Sequence, residues 1–143
     1  MQATVLTKGK KMIVTPRYHV FEMYKVHQDA TYLPFELQCK KYEFEDEAIP
    51  GLSASASRDQ SGKIHISLCN LNPERRGKII CELRGTKVKA VSGRVLTAEV
   101  MNSHNTFRDP EAVKPAIFKM AKLENNKVLS RLPAKSVVVL EIE

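Results

Sequence analysis

Acidic side chains are the first residues here whose type and spacing could do chemistry. A pair of carboxylates can cleave a glycosidic bond when one acts as an acid and the other as a nucleophile or base. Glu43, Glu45, Asp46 and Glu47 form a dense acidic run, but charges this close repel one another, so we expect a solvated loop between strands. The other acids fall in predicted turns, on outward strand positions or at the terminus: Asp59, Glu74, Glu82, Glu99, Glu111, Glu141 and Glu143.

The four histidines offer weak grounds for a metal or catalytic site. His19 and His27 lie eight residues apart on a predicted helix, and neither has a cysteine or carboxylate at a spacing typical of zinc. We expect each to form a hydrogen bond from the helix to a neighbour. His65 is predicted to point outward from its strand. His104 lies among five consecutive hydrogen-bonding side chains, residues 102–106, which indicates a loop held by its own side chains.

The three cysteines, Cys39, Cys69 and Cys81, form no close pair and are odd in number, so we expect small core or strand residues rather than a disulfide framework. The sequence shows neither a glycine-rich phosphate loop nor a nucleophile elbow. We therefore assign no catalytic, cofactor-binding or metal-binding residue to this chain and expect no cofactor.

Length and charge narrow the class of protein. A chain of 143 residues with 43% hydrophobic composition suits one domain with a real core. No apolar run approaches the length of a membrane span. The net charge is +7, but the basic residues are scattered and no nucleic-acid-binding motif accompanies them. We expect neither a membrane nor a nucleic-acid partner. The absence of tryptophan weakens, without removing, the alternative of an accessory carbohydrate-binding module.

One helix is predicted over residues 15–30. Thr15 can cap it and Pro16 suits its first turn. Its apolar residues fall on nearly every side: Tyr18, Val20, Phe21, Met23, Tyr24 and Val26. A helix with this pattern needs burial on more than one face, so we expect it to lie against a neighbour.

The rest of the chain alternates with a period of two, which predicts strands after a boundary near residues 29–34. The predicted strands cover residues 35–39, 52–57, 64–69, 79–83 and 137–142, with short strands around Val88 and Val95. Frequent turn signals between them favour an antiparallel sandwich or barrel. A longer excursion, residues 101–115, interrupts this rhythm, and loops of that length usually have a function or pack on a neighbour.

Several stretches together resemble one family. They are residues 15–30, 91–98, 101–107, 109–115 and 132–140, and they occur in the same order over essentially the whole chain. The chain is similar to the C-terminal end of a glycoside hydrolase family 51 α-L-arabinofuranosidase.

This resemblance implies an all-β fold, an antiparallel β-sandwich of jelly-roll type preceded by one N-terminal helix left over from a (β/α)8 barrel. Residues 1–30 would be the remnant of the last barrel unit, and residues 31–143 the sandwich. In such enzymes two glutamates of the barrel remove terminal α-L-arabinofuranosyl groups with retention of configuration and without an obligatory metal. The motifs that carry those glutamates have no counterpart in this sequence.

The same resemblance sets the expected partners. They are the missing catalytic barrel of the same polypeptide and, for the parent enzyme, an arabinose-containing polysaccharide or oligosaccharide. This chain alone is expected to be structural and inactive, and its loop at residues 101–115 to pack on the barrel. Whether copies of the chain form a homo-oligomer stays open, as does the compartment, since a targeting signal of the parent would lie before Met1.

Overall fold

A computed structural model describes residues 3–143, which form antiparallel strands and one short α-helix. The elements, in chain order, are β1 (Val5–Lys8), β2 (Lys11–Val14), α1 (Pro16–Tyr24) with a 3-10 turn (Lys25–His27), β3 (Thr31–Tyr32), β4 (Lys41–Phe44), β5 (Glu47–Pro50), β6 (Leu52–Arg58), β7 (Ile64–Asn70), β8 (Gly77–Glu82), β9 (Val91–Leu96), β10 (Ala116–Ile117), β11 (Ala121–Glu124), β12 (Lys127–Leu132) and β13 (Ser136–Ile142).

Two antiparallel sheets make the sandwich. The larger has the strand order β10-β9-β13-β7-β6-β3 and the smaller β11-β12-β8, while β1–β2 and β4–β5 are separate hairpins. The last strand, β13, lies between β7 and β9, so the chain ends in the middle of the larger sheet. The predicted antiparallel β-sandwich is confirmed.

The main core fills the space between the two sheets. Its buried residues come from both sheets and from Phe118, which follows β10: Ile64, Ile66, Leu68, Ile79, Val95, Phe118, Val128, Leu132, Val138, Leu140 and Ile142. Strand β7 is buried at six of its seven positions, although an alternating sequence predicts burial on one face only. Both faces of this central strand are therefore covered.

Helix α1 covers part of the outer face of the larger sheet. Met23 is 1% exposed and forms a second cluster with Leu96, Val113 and Val139, on the face of the larger sheet that points away from the main core. The helix thus packs on the sandwich, as a helix with apolar residues on several sides requires.

The helix is shorter and less buried than predicted. It runs from Pro16 to Tyr24 and continues as a 3-10 turn to His27, and Asp29 with φ 55 breaks the helical path. Thr15 sits at the N-cap position, but its hydroxyl donates to the carbonyl of Ala3 rather than capping the helix. Phe21 remains 66% exposed.

Some strand predictions were wrong. Residues 35–39 alternate in hydrophobicity but are irregular in the structure, because no neighbouring strand pairs with them within residues 3–143. Val88 is not in a strand either, since its N–H is taken by the Asn126 side chain at 2.8 Å. The acidic run is exposed and includes a turn between strands, as expected, but the turn is shorter than predicted because Glu43 and Glu47 belong to the β4–β5 hairpin. Glu45 and Asp46 form its turn, with Glu45 at φ 51.

Substitution of Met23 tests whether α1 belongs to the cooperative folding unit. Met23→Ala should lower the free energy of unfolding by about 2–5 kcal/mol, because it opens a cavity between α1 and the larger sheet. Met12→Ala is the matched control, since Met12 is 66% exposed and its truncation should cost less than about 0.5 kcal/mol. Urea unfolding followed by circular dichroism measures both. Equal midpoints for the two variants would show that the helix is not docked.

Candidate functional site

The candidate site is the junction where α1 and its 3-10 turn lie on the outer face of the larger sheet. Apolar contacts around Met23 occupy its centre, and partly buried Val20, Tyr24 and Val26 extend them. Polar side chains surround this apolar centre and fix the position of the helix. Both apolar packing and polar contacts therefore hold the helix at this junction.

His27 fastens the end of the helix to the sheet. Its Nδ1 lies 2.6 Å from Ser57 Oγ on β6, and its Nε2 lies 2.6 Å from Ser67 Oγ on β7. Both serines are buried. The hydrogen bond from helix to neighbour expected for His27 is confirmed. Burial lowers the pKa of His27 below its ordinary 6.5, and the nearby His65 lowers it further.

His65 lies on β7 beside this clamp and is held by Asp59. Its Nε2 is 2.8 Å from Asp59 Oδ2, while Asp59 Oδ1 accepts from the Ser61 and Lys63 backbone N–H groups and the Ser61 hydroxyl. The bond from His65, followed by that from the Ser61 hydroxyl, holds the pKa of Asp59 well below its usual range. Asp59 is thus a turn residue, as predicted, with an additional contact to a histidine.

The prediction that His65 faces outward needs correction. Its side chain does point away from the main core, but it is only 4% exposed. The second layer on that face covers it, which one-face alternation cannot foresee. His65 Nδ1 is buried without a hydrogen-bond partner among the described residues.

An ion pair closes the opposite side of the helix. Arg94 of β9 contacts both carboxylate oxygens of Glu22, at 3.0 and 2.9 Å, and Lys25 lies 3.5 Å from the same group. The hydrogen bond from Arg94 is the main reason why the pKa of Glu22 is lowered. A cavity of about 150 Å³ lies beside this pair, with Met23 and Val139 among its lining residues. Exposed ion pairs of this kind contribute little energy but fix orientation.

The loop at residues 101–115 is held by its own side chains, as predicted, but Asn105 rather than His104 holds it. Asn105 is buried; its amide donates to the carbonyls of Val14 and Val113, each at 3.0 Å, and its oxygen accepts from the Val113 N–H at 2.7 Å. His104 is exposed, and its Nδ1 lies 2.9 Å from the Asn102 carbonyl oxygen. The bond to Val14 ties the loop to the β1–β2 hairpin.

The acids weighed as a glycosidase pair do not converge at this junction. Glu43, Glu45, Asp46 and Glu47 are all exposed on the β4–β5 hairpin. Within residues 3–143 no group of three or more histidine, cysteine or acidic side chains could hold a metal ion. The cysteines Cys39, Cys69 and Cys81 are free thiols. None of the described helices is long and apolar enough to span a membrane.

Sequence reasoning missed Ser57, Ser67 and Asn105 as positioning residues. The serines occupy outward positions on strands whose alternation was recognised, so the missing information was that the end of α1 covers this face. In the sequence Asn105 is only one of five consecutive hydrogen-bonding residues. Its distinguishing property is burial, and contacts with Val14, 91 positions earlier in the chain, produce it.

This chain is similar in sequence and in structure to known α-L-arabinofuranosidases. A family model described as the α-L-arabinofuranosidase C-terminal domain matches residues 1–136. An intracellular exo-α-L-arabinofuranosidase from Bacteroides ovatus is 46% identical over 144 residues, which cover 100% of this chain and 28% of that protein. The crystal structure of the GH51 arabinofuranosidase from Xanthomonas axonopodis pv. citri superposes with a TM-score of 0.98 at 39% identity, covering 100% of this chain and 29% of that one.

A more distant structure extends the similarity in fold alone. The family 51 α-L-arabinofuranosidase from Bifidobacterium longum has a TM-score of 0.87 at 18% identity, over 99% of this chain and 28% of that one. The chain thus spans less than a third of each of these three relatives.

The His27 clamp predicts a pH dependence of stability. Because its pKa is lowered in the folded state, the unfolded chain takes up a proton first as pH falls below 6.5. The contribution of His27 to the free energy of unfolding should therefore be complete above this pH and decline below it. His27→Gln removes the titrating group, so its loss of stability between about pH 7.5 and about pH 5.5 should be smaller than that of the wild type.

Urea unfolding at both pH values measures this difference. His104→Gln is the control, because His104 is exposed and lies outside the junction, and it should keep the wild-type dependence. A His27→Gln variant that loses as much stability as the wild type would contradict the role assigned to the clamp.

Proposed function

The chain belongs to the α-L-arabinofuranosidase C-terminal domain family, and from that premise we propose that it is the non-catalytic β-sandwich of a retaining α-L-arabinofuranosidase. The parent enzyme would remove terminal α-L-arabinofuranosyl groups from arabinose-containing hemicellulose or pectin side chains. This chain would stabilise and position the catalytic part. Its own residues supply no acid–base pair to that reaction.

The coverage of the relatives supports a division of labour. A chain that spans 28% of one arabinofuranosidase and 29% of another leaves most of each enzyme to carry the reaction. We place the two catalytic glutamates in that remaining part, on a (β/α)8 barrel. Residues 1–30 would complete the last barrel unit, and residues 31–143 would form the sandwich domain.

Helix α1 carries this proposal, because it presents apolar side chains to two sides. Its inner face buries Met23 on the sandwich, while Phe21 and Tyr18 remain 66% and 40% exposed. Burying one large apolar side chain contributes roughly 1.5–3 kcal/mol, so a helix with a second apolar face gains from a second partner. We propose that the barrel is this partner and that α1 lies between the two domains.

The loop at residues 101–115 extends the same surface. Met101 is exposed and so is the preceding Val100, although Asn105 anchors the loop firmly. An anchored loop with exposed apolar residues at its start offers a surface for a further contact. We propose that these residues also pack on the barrel.

The other partners follow from the parent enzyme. We propose an arabinose-containing polysaccharide or oligosaccharide as its substrate, and no nucleic acid or membrane as a partner of this chain. The proposal also allows copies of this chain to form a homo-oligomer. An accessory carbohydrate-binding module is the alternative function, and titration of the chain with neutral arabinan oligosaccharides distinguishes it, because a purely structural domain should not bind them.

An activity assay tests the absence of catalytic machinery. The 143-residue chain should show no turnover of an aryl α-L-arabinofuranoside, because a retaining hydrolase needs both carboxylates about 5–5.5 Å apart across the bond. The full-length parent is the positive control under the same conditions. Turnover by this chain above the buffer rate would refute the proposed division of labour.

Substitution of Phe21 in two contexts tests the interface. In the 143-residue chain Phe21→Ala should change the free energy of unfolding by less than about 0.5 kcal/mol, because the ring is already exposed. In the full-length parent the same change should cost about 3–5 kcal/mol, because the ring would be buried against the barrel. Chemical denaturation of both proteins measures the difference.

Phe44→Ala is the matched control, since Phe44 is 62% exposed on the β4–β5 hairpin, away from α1. It should have a small effect in both proteins. Equal effects of Phe21→Ala in the chain and in the parent would place the barrel elsewhere.

A further inference from the structure

The outer face of the smaller sheet has an uneven distribution of charge. Ile79, Val128 and Leu132 point into the main core, so alternate residues of β8, β11 and β12 point outward. The outward residues are Lys78, Ile80, Glu82, Lys122, Glu124, Lys127, Leu129 and Arg131. This face lies on the opposite side of the sandwich from α1 and has no part in the junction described above.

One end of this face, the paired end, sets opposite charges against each other, although two carboxylates beside one lysine leave it slightly acidic. Lys127 is the cross-strand partner of both Glu82 and Glu124, and its Nζ lies 4.0 Å from the Glu82 carboxylate. Opposite charges at directly paired positions stabilise a sheet. This end needs no further partner to explain its residues.

The other end places cations together. Lys78 and Arg131 are direct cross-strand partners, and Lys122 lies diagonally across from Arg131 on β11. All three are exposed, and within residues 3–143 none of them forms a salt bridge. Like charges directly opposite one another destabilise a sheet. An anion bound between these cations would offset their mutual repulsion.

Two aliphatic side chains complete this surface. Ile80 and Leu129 are cross-strand partners between the cations, and Ile80 is 59% exposed. We call this set, Lys78, Ile80, Lys122, Leu129 and Arg131, the basic end. It places an apolar pair beside Lys122 on β11 and next to the row that holds Lys78 and Arg131, while the paired end lies on the other side of that pair.

We propose that the basic end binds a short oligosaccharide that carries uronic acid carboxylates. The choice of a carbohydrate rests on the proposed function, while the need for an anion rests on charge complementarity. Lysine ammonium and arginine guanidinium groups donate charge-assisted hydrogen bonds to carboxylates. The C–H face of a sugar ring would rest on Ile80 and Leu129.

Size favours this ligand over larger anionic partners. Eight outward residues on three strands make a face of about 10 Å by about 14 Å, and the basic end, which is part of it, has room for a short oligosaccharide. A stable protein partner needs about 800 Å² on each side, far more than this face offers. None of the eight outward residues is aromatic, so neither a nucleic-acid base nor a sugar ring can stack on an aromatic side chain here, and the oligonucleotide in the test below distinguishes the two ligands.

Titration of the ¹⁵N-labelled 143-residue chain with trigalacturonate tests the proposal. Backbone amide shifts should concentrate on β8 and β12, and affinity should fall when salt rises from about 10 mM to about 150 mM, as the Debye length shortens from about 30 Å to about 8 Å. A Lys78→Gln, Arg131→Gln double variant should bind at least about tenfold more weakly, because it loses two charge-assisted bonds. Lys127→Gln, at the paired end, is the matched control and should change the affinity less than about twofold.

Several outcomes would overturn the proposal. They are unchanged binding by the double variant, equal binding of neutral arabinotriose, and equally tight binding of a short oligonucleotide at the same residues. Both glutamine variants alter only exposed residues, and their amide spectra check that the fold is kept. Because no step measures arabinofuranoside turnover, a negative result leaves the proposed function intact, and turnover by the chain would leave this binding result standing.

Discussion

The burial of β7 and β13 on both faces is the constraint on which the rest of the structure depends. Strands at the centre of an antiparallel sheet can leave one face to water. Here β7 and β13 are covered on one side by the smaller sheet and on the other by α1, its 3-10 turn and the segment around Val113. The outer face of the larger sheet therefore becomes a second, smaller core, and α1 must hold a fixed position to close it.

Polar contacts give that position its precision. Apolar contacts around Met23 are non-directional and would tolerate sliding of the helix along the sheet. His27 bonded to Ser57 and Ser67, and Glu22 bonded to Arg94, fix both the end and the side of the helix. Asn105 fixes the adjoining loop in the same way. Because buried polar groups are costly when unpaired, an alternative position of the helix would leave Ser57 and Ser67 without their bonds to His27, whereas the more exposed Glu22–Arg94 pair contributes little energy.

Local alternation predicted much of the sandwich, since residues 52–57, 64–69, 79–83 and 137–142 all lie in or overlap strands. It failed where pairing or covering depends on distant residues. Residues 35–39 alternate but have no partner strand, and His65 alternates outward but is covered by a second layer. The family resemblance was visible in several stretches of sequence that follow one another in the same order as in the family. The clamp at His27 was only partly visible, because its serine partners lie 30 and 40 residues away.

Under the function proposed above, the two layers on the larger sheet also explain how a non-catalytic domain would contribute to an enzyme. A helix held by apolar contacts alone could slide along the sheet when a partner packs on its other face. Such a helix would do little to fix the position of that partner. Clamped at His27 and Glu22, α1 behaves as part of the sandwich, yet it still exposes Phe21 and Tyr18. Any element packed on those rings is then positioned by the sandwich core. Rigidity on one face of α1 is thus the condition for positioning on the other.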